Sequence, residues 1–143
     1  MKSKILVSLQ FIIIFLMSLS YGDATSHRVV GIFFLVLGAI VGLLALMKHK
    51  RGNFNIRPDI KECCILVTDG IYRYIRHPMY LSVLTMMFGV LVLYFSFYEL
   101  VLYICLVTTL MVKLFYEENL WVLHSSQYKS YKKQTKRIIP FIF

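Results

Sequence analysis

Charged and apolar residues fall along this chain in long blocks. Four stretches carry no charged residue: Ile5 to Tyr21, Val29 to Met47, Met79 to Phe97 and Leu100 to Val112, the last continuing past Lys113 to Phe115. Each approaches the roughly 20 residues, range about 17 to 25, that a helix needs to cross a hydrocarbon core about 30 Å thick. The pattern predicts an all-α integral membrane protein with four transmembrane helices. Two long polar segments remain, 48–78 and 116–143, and the whole of 1–143 has room for a single domain. With 59% apolar against 16% charged residues, lipid is a better solvent for the chain than water.

The net charge of +9 would by itself invite nucleic acid. The placement of the charge argues otherwise. Lys2 and Lys4 precede the first stretch, and Lys48, Lys50, Arg51, Arg57, Lys61, Arg73 and Arg76 crowd the second connection. Lys129, Lys132, Lys133, Lys136 and Arg137 follow the last stretch. With Lys113 near the inner end of span four, 15 of the 16 Lys and Arg residues fall on one side, leaving Arg28 on the other. The positive-inside rule then puts both termini and the long second loop in the cytosol. The bilayer is the expected partner, and no nucleic acid is expected. Spans two to four are expected to hold no buried charge, which argues against a transport path.

Lys2 and Lys4 followed by an apolar run and Ser18-Leu19-Ser20 also resemble a secretory signal. The four-span reading keeps this helix. Cys63, Cys64 and Cys105 show neither CxxC nor Cys/His spacing, so no metal site and no structural disulfide are expected.

Candidate chemistry lies in the two polar segments. The first ends in DGIYRYIRHP, where Asp69-Gly70 marks a turn and Pro78 suits the first turn of span three. Unpaired N–H groups at that helix start would favour an anion. In the second, Glu117, Trp121, His124, Tyr128 and Tyr131 recur at helical spacing and predict one stripe on a C-terminal amphipathic helix, with Lys129, Lys132 and Lys133 on the opposite face toward water or anionic headgroups. The acid pair Glu117-Glu118 stands at the membrane end of span four in a cationic surface, a position where carboxylates are functional candidates.

These residues resemble a known family. DGIYRYIRHPMYL, followed after a two-span spacer by EE-x9-Y-x2-Y-x5-R-x2-P, is similar to the isoprenylcysteine carboxyl methyltransferase and phospholipid methyltransferase superfamily, in the manner of a short prokaryotic member. The resemblance covers roughly Asn53 to Pro140. It implies an enzyme of the cytoplasmic membrane that uses S-adenosylmethionine from the cytosol and methylates a lipophilic acceptor arriving from lipid, an isoprenylcysteine-type carboxylate first. It implies a cofactor site of His77, Tyr80, Leu81, Glu117, Glu118 and Tyr128, and a catalytic set of Arg76, Arg137 and Tyr131. The chain departs from the family pattern at Ser82, where glycine is frequent, and at His124-Ser125, in place of Phe-Gly. Alternatives from the same residues are a phospholipid amine or small-thiol methyltransferase, a sterol-type membrane reductase, and a non-catalytic subunit or small transporter.

Overall fold

Within the described residues, 2–19, 25–48 and 66–140 of a computed structural model, the chain forms five α-helices and one 3-10 turn. Helix α1 is Lys2–Ser18 and α2 is Arg28–Leu46; the turn is Gly70–Arg73; α3 is Pro78–Leu93, α4 Phe97–His124 and α5 Ser126–Gln134. The all-α expectation holds. Helices α2 and α4 are long and apolar enough to cross a membrane, whereas α1 and α3 have 17 and 16 residues. Large apolar side chains such as Phe11, Phe15, Phe33 and Ile104 point outward and are more than half exposed, as hydrocarbon-facing surfaces require.

The helix boundaries follow local chemistry. Pro78 opens α3 at its first turn, as expected. α3 stops at Leu93, four residues short of the sequence reading, because Ser96 caps the next helix: its hydroxyl accepts from the Glu99 N–H at 3.1 Å. Ser96-x-x-Glu99 is a capping-box spacing, which starts α4 at Phe97. α4 then continues for 28 residues, about 42 Å at 1.5 Å per residue, and carries its final turns beyond the apolar stretch. Glu117 and Glu118 therefore ride on the projecting end of a membrane helix. The predicted single stripe from Glu117 to Tyr131 is broken at Ser125, where an extended residue (φ −137°, ψ 122°) ends α4 and caps α5 by accepting from the Tyr128 N–H at 3.3 Å. The amphipathic C-terminal helix is thus the nine residues of α5. That φ is open to any residue, so Ser125 in place of glycine costs nothing in backbone strain.

α2 lies against α3 through glycines. A Cβ on Gly38 would come within 2.8 Å of the Met86 backbone nitrogen, and one on Gly89 within 2.7 Å of the Gly31 carbonyl oxygen. Small residues of this kind let membrane helices approach closely. Ser82 uses the space left by Gly42 and donates its hydroxyl proton to the Gly38 carbonyl at 2.7 Å. The departure at Ser82 is accommodated by its neighbour. On the other side, Ile13 and Met17 of α1 join Leu84 and Met87 of α3 and Leu106, Leu110 and Leu114 of α4 in one core.

The expectation of no buried charge in spans two to four is overturned. Lys113, inside the fourth stretch, is 2% exposed; Glu99, between the third and fourth stretches and in the first turn of α4, is buried too. Lys113 finds Gln10 on α1, a partner outside any local pattern. The Asp69-Gly70 turn forms as expected, with Gly70 at φ 60° and Asp69 paired to Lys48 at 3.0 Å. Cys63, Cys64, Tyr21 and most of the second connection lie outside the described residues. Cys105 is free and exposed, and no metal-binding cluster of His, Cys, Asp or Glu occurs among the described residues.

Candidate active site

The segment after the 3-10 turn and the segment after α5 run side by side in a single parallel bridge, Ile75 with Lys136. The Arg76 N–H donates to Lys136 O at 2.8 Å, the His77 N–H to Arg137 O at 2.9 Å, and the Lys136 N–H to Tyr74 O at 3.1 Å. This pairing brings RHPMY, the end of α4 and the C-terminal tail to one place.

Glu118 is the centre of that place. Its side chain is 2% exposed, and one oxygen accepts from Arg76 Nε at 2.8 Å. The other lies 3.1 Å from Lys132 Nζ and 3.3 Å from Arg137 Nε, and His77 Nε2 stands 3.7 Å from the first. Burial pulls its carboxyl upward, but the His77 ring, Arg76 and Lys132 outweigh that and hold it well below the usual carboxylate range. Arg76, itself buried, further donates to the carbonyls of Lys132, at 3.1 Å, and Thr135, and to the Thr135 hydroxyl at 3.2 Å. Sequence reading missed Lys132 and Thr135. Lys132, expected on the face toward water or headgroups, keeps about a third of its side chain exposed while its amine turns to Glu118.

Glu117 is placed differently. Its side chain is 27% exposed and accepts from the Tyr80 hydroxyl at 2.7 Å, while the Tyr80 ring stacks on His77 at 5.2 Å. Tyr128, 2% exposed, stacks on Trp121 at 5.6 Å. Tyr131 donates its hydroxyl proton to Tyr72 O at 2.5 Å. Burial pushes the hydroxyls of Tyr72, Tyr128 and Tyr131 upward from their ordinary value, so all three stay protonated at neutral pH. Leu81 packs against the helix core, and Arg137, its side chain 28% exposed, lies over the Phe115 ring at 5.1 Å. The structure thus gathers Arg76, His77, Tyr80, Glu117, Glu118 and Arg137, with Tyr128 and Tyr131 on the adjoining helix and Leu81 one layer behind.

Two buried polar atoms in this cluster make no hydrogen bond among the described residues: His77 Nε2, which faces Glu118 at 3.7 Å, beyond bonding distance, and Tyr128 Oη. Such atoms are rare in folded proteins and mark places where a ligand or water completes the bonding. A cavity of about 500 Å³ opens between the Thr68–Arg73 turn and α5, and of the predicted site residues it borders Tyr131.

Residues 29–123, about two thirds of the chain, match the sequence model of the isoprenylcysteine carboxyl methyltransferase (ICMT) family. The chain belongs to the ICMT family. It is accordingly a membrane methyltransferase by family, and its helical structure carries two apolar helices of spanning length. The ICMT match includes Arg76, His77, Tyr80, Leu81, Glu117 and Glu118; α1, α5, Tyr128, Tyr131 and Arg137 lie outside it. No curated protein and no solved structure matches the chain.

Proposed function

We propose that this ICMT-family chain transfers a methyl group from S-adenosylmethionine to a lipophilic acceptor that reaches the site from the bilayer, an isoprenylcysteine-type carboxylate. The observation that carries the reading is the convergence of RHPMY, Glu117-Glu118 and the tail on one cluster that holds an accessible carboxylate and two orphaned buried polar atoms. These residues fit the cofactor. Glu117 has the charge and exposure to meet its ammonium or ribose hydroxyls, His77 Nε2 and Tyr128 Oη can bond its polar edges, and the half-buried Trp121 offers an aromatic face for adenine or the sulfonium. S-adenosylmethionine supplies an electrophilic methyl group on its sulfonium. The protein's task is alignment of the acceptor and exclusion of water.

Within that reading the residues divide their roles. Glu118 is too enclosed by Arg76, Lys132 and Arg137 to serve as a ligand and acts as a brace. Arg76 and Tyr131, committed to Glu118, Thr135 and the Tyr72 carbonyl, hold the tail in place. Arg137 retains the exposure to orient an anionic acceptor group. A carboxylate acceptor needs no general base, whereas an amine or thiol would call on His77.

Four spans with both termini cytosolic complete the proposal. α1 and α3, at 17 and 16 residues, reach roughly 25 Å, near the thickness of a hydrocarbon core. The family match speaks for a methyltransferase over the sterol-type reductase and the small transporter. The test is incubation of native membranes containing the protein with methyl-labelled cofactor. Label released by mild base from the lipid-extractable fraction is expected for a carboxylate ester. Base-stable label would move the acceptor to an amine or thiol, and no protein-dependent transfer at all would refute the activity.

A further inference from the structure

Lys113 lies one helical turn before Glu117 on α4 and is 2% exposed. Its Nζ donates to Gln10 Oε1 on α1 at 2.8 Å and stands 5.2 Å from the centre of the Tyr80 ring on α3. Tyr80 in turn donates to Glu117 at 2.7 Å. Gln10, Lys113, Tyr80 and Glu117 therefore form one continuous polar chain across three helices, running from inside the apolar bundle to the carboxylate at the site.

A buried ammonium in a membrane helix persists where partners offset its desolvation. Here the partners are the Gln10 amide oxygen on α1, the Tyr80 ring on α3 and the Glu117 charge one turn on, and the first of them is lost if α1 moves. Gln10 is itself 6% exposed, while its neighbours Phe11 and Ile12 are more than half exposed. A glutamine amide amid such residues is explained by Lys113. Ile13 and Met17 on the same side of α1, 5% and 0% exposed, pack the rest of the contact.

We infer that Gln10 and Lys113 are positioning residues: they fix the Tyr80 ring and, through its hydroxyl, the Glu117 carboxylate, making α1 a wall of the site rather than a removable leader. This rests on the assignment of Glu117 to the cofactor. The predicted signature is selective for cofactor handling, because the pair acts on Glu117, through the Tyr80 ring and hydroxyl and through the Lys113 charge one turn away.

The test compares the full-length protein with Lys113→Met, Lys113→Arg and Gln10→Leu in detergent, each checked for monodisperse elution and melting temperature. S-adenosylmethionine affinity should fall about tenfold in Lys113→Met. Lys113→Arg should stay within about threefold of the unaltered protein and Gln10→Leu should shift in the same direction as Lys113→Met. The KM for the cofactor should rise in Lys113→Met while kcat at saturating cofactor stays within about threefold. Unchanged affinity in a folded Lys113→Met protein overturns the inference, as does an arginine variant that loses affinity as fully as the methionine one. If Lys113→Met does not fold, Lys113→Arg and Gln10→Leu carry the comparison, and an unchanged affinity in Gln10→Leu overturns it. A mature chain found by N-terminal sequencing to begin after Ser20 overturns it as well. Absence of cofactor binding by the unaltered protein would instead refute the proposed function, and this inference with it.

Discussion

Two adjacent glutamates behave oppositely because a one-residue step on a helix turns the side chain by about 100°. Glu118 points into a nest of Arg76, Lys132 and Arg137, and Glu117 points to Tyr80 and solvent. Removing one partner of a buried ion pair leaves the other charge uncompensated, at about 3–5 kcal/mol. Glu118→Ala should therefore lower the melting temperature sharply, whereas Glu117→Ala should leave it nearly unchanged and weaken S-adenosylmethionine binding about tenfold or more. Equal effects of the two on melting would contradict the division of roles. The pH dependence follows from the same contacts. The folded-state pKa of Glu118 is depressed below its ordinary 4.5, so its stabilising contribution is full above that pH and is lost as the pH falls through the lowered value. Melting temperature should drop on acidification below about pH 4.5 in the unaltered protein. Glu118→Gln, lower throughout, should show a shallower drop.

At the scale of elements, the α2–α3 seam makes a compensating pair visible. A Cβ at Gly42 would stand 2.6 Å from the Ser82 hydroxyl, so Gly42→Val should cost about 1–3 kcal/mol of stability. Ser82→Gly should recover part of that loss in the double variant, a coupling that a double-mutant cycle in thermal melting measures. Much of this level was legible in the sequence: α2 begins and ends within one residue of the apolar run, and Pro78 sets the start of α3. The boundaries that moved did so for hydrogen-bonding reasons. Ser96 and Ser125 are ordinary polar residues until a following N–H reaches their hydroxyls, and hydropathy cannot see that reach. The site was legible in part. RHPMY and the acid pair name themselves, but Lys132 and Thr135 serve Arg76 and Glu118 through backbone carbonyls and an inward turn of α5 that no spacing encodes. The pairing of Lys113 escapes any local spacing because its partner lies 103 residues away.

On the scale of the whole molecule, the proposed topology rests on the positive charge gathered at one end of the helices; it puts the candidate cluster at the cytosolic interface and the Tyr94–Ser96 turn on the opposite side. In a Cys-less background, a cysteine placed at Ser96 should react with an impermeant thiol reagent from outside intact cells, and one at Ser130 should react after lysis alone. The reverse labelling would invert the topology and move the cofactor entry to the wrong compartment. The central claim, that the cluster around Glu117 and His77 is a cofactor site, is tested most directly by titrating S-adenosylmethionine into the folded, detergent-purified protein by calorimetry. Saturable binding of one cofactor per chain, weakened by His77→Ala and by Glu117→Ala, is the predicted result; no binding by the intact protein would contradict it.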